Sequence, residues 1–315
     1  MTSVIFLGTP EFAVPILSAL NDRYDVQLVI TQPDRLVGRK QLLQQSPVKQ
    51  AAVQLGLPVL QPEKLSGSPE LEEAIALAPD LLITAAYGQF LPTKFLNAAK
   101  IAALNVHGSL LPKYRGGAPI QYSVINGDQE TGVTIMEMVK AMDAGDMYAQ
   151  KAIPLTREDD TGTVFAKLSL VGRDLLLATL PAIIAKTAKK IPQDPDQVTF
   201  SPTLTKAQEH LDIKLPAKQL DQWVRGLRPA IGGYVWLNGI RTKLWAITPQ
   251  TLTTTAAPGT VVARHKKQLL VAAGAQTVFA IDELQPAGKA KQTIAAYLNG
   301  AGQAIQEGDL IIGEK

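Results

Sequence analysis

Over the first 190 residues, apolar runs of strand length alternate with segments of helical period. Residues 3–7, 26–31, 58–60, 81–85 and 101–106 are short runs rich in Val, Ile, Leu and Ala, and each is bounded by polar, Gly or Pro positions. Such runs read as strands. Residues 12–20 and 47–55 carry a helical period instead. Pro47 opens the second of these, which suits a first helical turn, where the missing N–H has no partner to lose. This alternation predicts an α/β domain built on a mostly parallel, doubly wound sheet.

The pattern changes twice further along. Residues 132–138 and 147–155 alternate as strands around a glycine-containing turn, which predicts an antiparallel addition to the sheet. Thr161, as an N-cap, is expected to open a long apolar helix towards residue 190. Residues 191–205 contain three prolines and no helical period, so they are expected to link a domain over 1–190 to a second over 206–315. The second domain begins with a helix at 216–226 that puts Leu220, Trp223 and Val224 on one face. Short strands follow, broken at Gly232-Gly233, Asn238-Gly239 and Pro258-Gly259, and predict a small OB-like β-barrel.

Composition narrows this picture. The chain has 315 residues, 46% apolar and 19% charged, which is ordinary for folded two-domain proteins. It contains no cysteine, so disulfides, thiolate metal sites and cysteine nucleophiles are excluded. No secretory signal pattern opens the sequence and no apolar run has membrane-spanning length. The net charge of +3 is unevenly spread: residues 1–190 carry 18 basic and 18 acidic side chains, residues 206–315 carry 13 and 8. A basic second domain fits a polyanionic partner such as RNA, although an excess of this size is also common on solvated surfaces.

Candidate chemistry gathers at the end of the fifth predicted strand. Asn105 and His107 lie two residues apart and so share a face of that strand, just before Gly108. An amide and an imidazole at a strand end can bind a developing oxyanion and move a proton. Asp143, in the turn Met142-Asp143-Ala144-Gly145-Asp146, can bring a carboxylate to the imidazole. Neither G-x-G-x-x-G after the first strand nor G-x-x-x-x-G-K-[ST] anywhere is present, which speaks against NAD, FAD and ATP.

These residues, with Gly8-Thr9-Pro10-Glu11-Phe12-Ala13, Ala85-Ala86-Tyr87-Gly88-Gln89, Ser109-Leu110-Leu111-Pro112, Tyr114-Arg115-Gly116-Gly117-Ala118-Pro119 and Leu284-Gln285-Pro286-Ala287-Gly288-Lys289, resemble the 10-formyltetrahydrofolate-dependent formyltransferases. The resemblance spans essentially the whole chain. It implies a Rossmann-like formyltransferase domain followed by an OB-like domain that binds tRNA. It implies formyl transfer from 10-formyltetrahydrofolate, as co-substrate, to the α-amino group of methionine on initiator tRNA. In that reaction Asn105 and an imidazolium His107 held by Asp143 would stabilise the oxyanion, with a water or Asp143 taking the amine proton.

The resemblance also assigns residues to ligands. Tyr87, Gly88, Gln89, Ser109, Leu110, Leu111 and Pro112 would line the folate pocket, and Asp146 would hold its turn or reach the folate. Phe6, Gly8, Arg35, Arg39, Lys40 and Lys206 would contact the tRNA. The loop over 32–46 departs from the family's Gly-Arg-Gly-Lys-Lys pattern, reading Gly38-Arg39-Lys40-Gln41. The resemblance implies a monomer in the cytoplasm, with no metal and no membrane contact. Transfer to a sugar-nucleotide amine or to glycinamide ribonucleotide, and a non-catalytic RNA-binding role, are the alternatives.

Overall fold

The structure, a computed structural model, describes residues 1–37 and 41–313. Gly38, Arg39 and Lys40 lie outside the described residues. The chain divides into one compact unit of Met1–Pro119, Glu130–Pro154 and Phe165–Pro202, and another of Ile120–Gln129, Leu155–Val164 and Thr203–Lys315.

The first half follows the expected alternation: β1 (Ser3–Gly8), α1 (Val14–Asn21), β2 (Asp25–Ile30), β3 (Arg35–Val37), β4 (Leu42–Gln44), α2 (Pro47–Gln54), β5 (Val59–Leu60), α3 (Pro69–Ala76), β6 (Leu81–Ala85), α4 (Thr93–Leu96), β7 (Ala102–His107), α5 (Pro119–Ile125), β8 (Glu130–Glu137), β9 (Met147–Pro154) and α6 (Thr161–Ile184). The main sheet has the order β5-β2-β1-β6-β7-β8-β9. Strands β5 to β7 in that order pair parallel, while β8 and β9 add antiparallel. The order reverses on either side of β1, so the carboxyl ends of β1, β6 and β7 flank a topological switch point, where open α/β sheets bind their ligands. Ile5, Leu7, Ile30, Leu82 and Phe95 pack in the core beside this sheet.

The sequence reading did not place helices α3, α4 and α5, and three further local features differ from it. Part of the 32–46 loop is an antiparallel hairpin, with Leu36 opposite Leu43. Helix α6 is capped by Asp160 rather than Thr161: Asp160 Oδ1 accepts from the Thr163 N–H at 2.9 Å, and Thr163 Oγ1 accepts from the Asp160 N–H at 3.0 Å. The same helix ends at Ile184 because Lys186 turns left-handed (φ 58°) and the Thr187 N–H bonds back to the Ala182 carbonyl at 2.9 Å. That closure normally uses glycine, so a lysine there gave no stop signal.

The second half contains α7 (Ala217–Leu227), β10 (Tyr234–Leu237), β11 (Ile240–Thr253), β12 (Val261–His265), β13 (Gln268–Ala272), β14 (Thr277–Pro286), β15 (Gln292–Thr293), α8 (Ile294–Leu298) and β16 (Ile312–Gly313). Its antiparallel sheet runs β12-β13-β14-β11-β10-β16 and curls until residues 308–312 bond to residues 259–261. This is the small OB-like domain that the turn spacing predicted. Leu220, Val224 and Leu227 of α7 pack among Val235, Leu244, Val271 and Phe279. Each such side chain contributes roughly 1.5–3 kcal/mol on burial.

Candidate active site

Asn105 and His107 stand where β7 ends, as their spacing required. Across the parallel β6–β7 pairing, Thr84 lies in register with Asn105. Its hydroxyl donates to Asn105 Oδ1 at 2.8 Å. With the amide oxygen occupied, the Nδ2 end of Asn105 is left to donate. His107 is 5% exposed. Its Nε2 lies 3.0 Å from the Tyr114 carbonyl. A carbonyl only accepts, so Nε2 carries a hydrogen, and Nδ1 becomes the ring's variable position. Nδ1 faces Asp143 Oδ1 at 3.8 Å, an ion-pair distance once the ring is protonated but too long for a hydrogen bond.

Asp143 reaches this place through the β8–β9 turn. Its φ is 50°, left-handed for a residue with a side chain. Gly145 lets the turn return tightly, since a Cβ there would sit 2.0 Å from the Glu137 carbonyl oxygen. The second carboxylate oxygen accepts from the Gly116 N–H at 2.8 Å. The loop after β7 thus supplies partners to both acid–base groups: the Tyr114 carbonyl for His107 and the Gly116 amide for Asp143.

That loop is braced by the segment expected to be a linker. Residues 191–201 belong to the first unit and run extended except for a 3-10 turn at Pro195–Gln197. The Arg115 N–H bonds to the Thr199 carbonyl at 2.9 Å and the Ser201 N–H to the Arg115 carbonyl at 2.8 Å. Ser201 Oγ also donates towards the Tyr114 carbonyl at 3.1 Å. Gln193 donates from Nε2 to the carbonyls of Asp143 and Gly145, each at 2.8 Å. Its Oε1 accepts from Arg115 Nε at 3.0 Å and Nη2 at 2.8 Å. Proline limits helix here to one short turn, which Pro195 opens at the first position, and leaves extended pairing possible on either side. Neither Gln193 nor Thr84 sits in a local pattern that marks it, so sequence reasoning missed both.

The other predicted residues divide. The Tyr87 ring is core, 4% exposed, and burial pushes its hydroxyl up to about 12. The Tyr87 carbonyl accepts from Thr9 Oγ1 at 3.0 Å and Gln32 Nε2 at 3.2 Å. Gly88 has φ 88°, and a Cβ there would meet only Gln32 Nε2 at 3.8 Å, so the backbone lies open beside an amide. Gln89 Oε1 accepts from the Leu65 N–H at 2.9 Å, which ties it to the chain before α3. Ser109 is buried and donates to the Lys113 carbonyl at 2.7 Å. Leu110 packs against Gly132, and Leu111 packs with Met136 and Met147. Pro112 accepts through its carbonyl from the Thr199 N–H at 3.3 Å. The Asp146 carbonyl accepts from the Glu137 N–H at 2.8 Å, so its backbone holds the turn.

The residues assigned to tRNA are scattered. Phe6 is fully buried in β1. Gly8 ends β1, packed so closely that a Cβ would lie 2.9 Å from the Phe6 ring. Arg35 engages Glu63 with both guanidinium arms, at 2.8 and 3.2 Å, on the exposed hairpin. Lys206 is exposed and opens a short 3-10 turn, Lys206–Glu209. Arg39 and Lys40 lie outside the described residues. Among the described residues no group of three or more His, Cys, Asp or Glu could hold a metal ion, and no helix is long and apolar enough to cross a membrane.

Residues 1–180 match the family described as formyl transferase, and residues 203–302 match the formyl transferase C-terminal domain. A methionyl-tRNA formyltransferase from Lacticaseibacillus casei (strain BL23) is 72% identical over 313 residues, covering 99% of this chain and 98% of the relative. An N-formyltransferase from Helicobacter canadensis, solved in complex with folinic acid and dTDP-3-aminofucose, has a TM-score of 0.66 at 18% identity, covering 91% of this chain and 100% of that one. A variant of HypX from Aquifex aeolicus has a TM-score of 0.66 at 16% identity and covers 97% of this chain, which spans about half (50%) of HypX. At such identities these two structures speak for the fold alone.

Proposed function

Because the chain belongs to the formyl transferase family, we propose that it transfers a formyl group from 10-formyltetrahydrofolate to the α-amino group of methionine on initiator tRNA, for the start of translation. The observation that carries this reading is the meeting of Asn105, His107 and Asp143 beyond the carboxyl end of β7. 10-Formyltetrahydrofolate supplies the formyl group as an N-acyl donor. The open backbone at Gly88 suits a flat ring, so residues 86–89 and 109–112 would hold the pterin.

The chain's own groups then divide the work. Asn105 donates from Nδ2 to the formyl oxygen as it gains charge, an interaction strongest at the transition state. His107 has Nε2–H committed to Tyr114, so a protonated Nδ1 would donate to the developing oxyanion and then pass its proton to the leaving folate nitrogen, while a water or Asp143 takes the proton of the attacking amine. Asp143, facing Nδ1, balances the charge the ring carries meanwhile. The compartment we assign is the cytoplasm, where charged tRNA is used.

Formyl transfer measured with charged initiator tRNA, beside free methionine and nucleotide-linked amino sugars, tests the reading. Efficient transfer to the tRNA alone is expected. Preference for an amino sugar would overturn the acceptor, and no transfer to any amine would overturn the reaction.

A further inference from the structure

Gln193 lies outside every motif that the reaction uses, yet all four hydrogen-bonding positions of its amide are occupied. Its two hydrogens go to the carbonyls of Asp143 and Gly145, and its oxygen accepts twice from Arg115. Among residues 191–197, all other side chains are exposed, and Gln193 is half-buried.

The geometry points to Gln193 as a positioning residue: one amide fastens the turn bearing Asp143 to the strip Tyr114–Arg115–Gly116 and so fixes the carboxylate against His107. This inference rests on the reaction proposed above. Both groups that face each other across 3.8 Å take their second partner from that strip, His107 from the Tyr114 carbonyl and Asp143 from the Gly116 amide. The strip and the turn are separate loops, and the Gln193 side chain bonds to both. The turn also needs holding. Asp143 has a left-handed φ of 50°, and Ala141 and Met142 before it are exposed. Gln193 touches no reacting atom. It acts by setting where the Asp143 carboxylate stands, and a displacement of about 1 Å at such a site costs on the order of 10²-fold in rate.

Gln193→Glu in the full chain separates the two halves of the amide. A carboxylate keeps the Arg115 pairing and loses both N–H donors to the turn. With charged initiator tRNA, kcat is expected to fall about tenfold or more, with KM for either substrate within about twofold. On an Asp143→Asn background the same change should cost little further, because the residue acts through that carboxylate. Exchange of the Gly116 amide hydrogen, protected by Asp143 Oδ2, should speed up in the protein without substrate. Should Gln193→Glu fail to fold, Gln193→Asn, too short to span both loops, carries the same measurements. Wild-type kcat in a folded variant, an equal loss on both backgrounds, or unchanged Gly116 exchange would each overturn the inference. The exchange needs no acceptor, so it separates failure here from failure of the proposed reaction.

Discussion

Asn105, His107 and Asp143 meet where the reaction is proposed to occur, so their replacement should be read mainly in turnover. His107→Ala, Asn105→Ala and Asp143→Asn are each expected to lower kcat by about 10²- to 10³-fold with folate binding largely kept, as for loss of one transition-state donor. Near-normal turnover in a folded variant would remove that residue from the reaction. Thr84→Val keeps the volume but deletes the hydroxyl that orients Asn105, and should cost roughly tenfold in kcat, the scale of one hydrogen bond. A steady-state comparison of Thr84→Val with wild type checks it, and an unchanged kcat would mean that β7 alone sets the amide. Asn105 and His107 were legible because strand period puts residues two apart on one face. The glycine-containing turn made Asp143 a candidate, and the family resemblance singled it out, since turn aspartates usually bond their own backbone. Thr84 and Gln193 were not legible, because their roles come from pairing across β6–β7 and from a return of the chain 50 residues after Asp143.

The elements themselves carry two measurable commitments. Asp80, just before β6, accepts from the Ser3 N–H at 2.9 Å and from its hydroxyl at 3.2 Å, joining the start of β1 to the start of β6. The Ser3 backbone bond holds the Asp80 carboxyl below the usual carboxylate range. A group whose folded pKa is depressed stabilises above its unfolded value, and that stabilisation is lost as pH falls through the folded one. Asp80→Asn should therefore lower the unfolding midpoint near neutrality and lose this deficit below about pH 4, the ordinary aspartate range. Thermal unfolding across that interval decides it, and a deficit independent of pH would count against the ion. Lys186 offers the opposite sign. Its left-handed φ costs a side-chain-bearing residue roughly 1–2 kcal/mol, so Lys186→Gly should raise the denaturation midpoint, offset in part by the freedom glycine adds to the unfolded chain. The central strands were readable because β1 and β6 bury continuous apolar runs. The β3–β4 hairpin was not, because Leu36, Leu42 and Leu43 are exposed and leave no inside-outside alternation to read.

At the scale of the whole chain, charge and aromatic surface gather in the second unit. Along β10 and β11, buried Val235, Leu237, Thr242 and Leu244 alternate with half-buried Tyr234, Trp236, Arg241, Lys243 and Trp245. The Arg241 guanidinium lies 3.8 Å from the Tyr234 ring centre, and the Lys243 ammonium 5.3 Å from that of Trp245. Cations interleaved with flat rings on one sheet face suit a phosphate track with unpaired bases stacked beside it. The +5 imbalance over residues 206–315, visible in the sequence, could not show this face, because strand register decides which cations share it. Replacing Arg241 and Lys243 together by Ala should weaken tRNA binding and reduce the steepness of its salt dependence by about one logarithmic unit for each phosphate no longer neutralised. Turnover at saturating tRNA should stay near wild type, since neither residue belongs to the β7 site. Affinity measured at several salt concentrations, together with kcat, checks both parts. A lower kcat at unchanged affinity would assign the face to some other task, and unchanged behaviour in both would make it a solvated surface whose cations serve only Glu209, the Ile231 carbonyl and the rings beneath them.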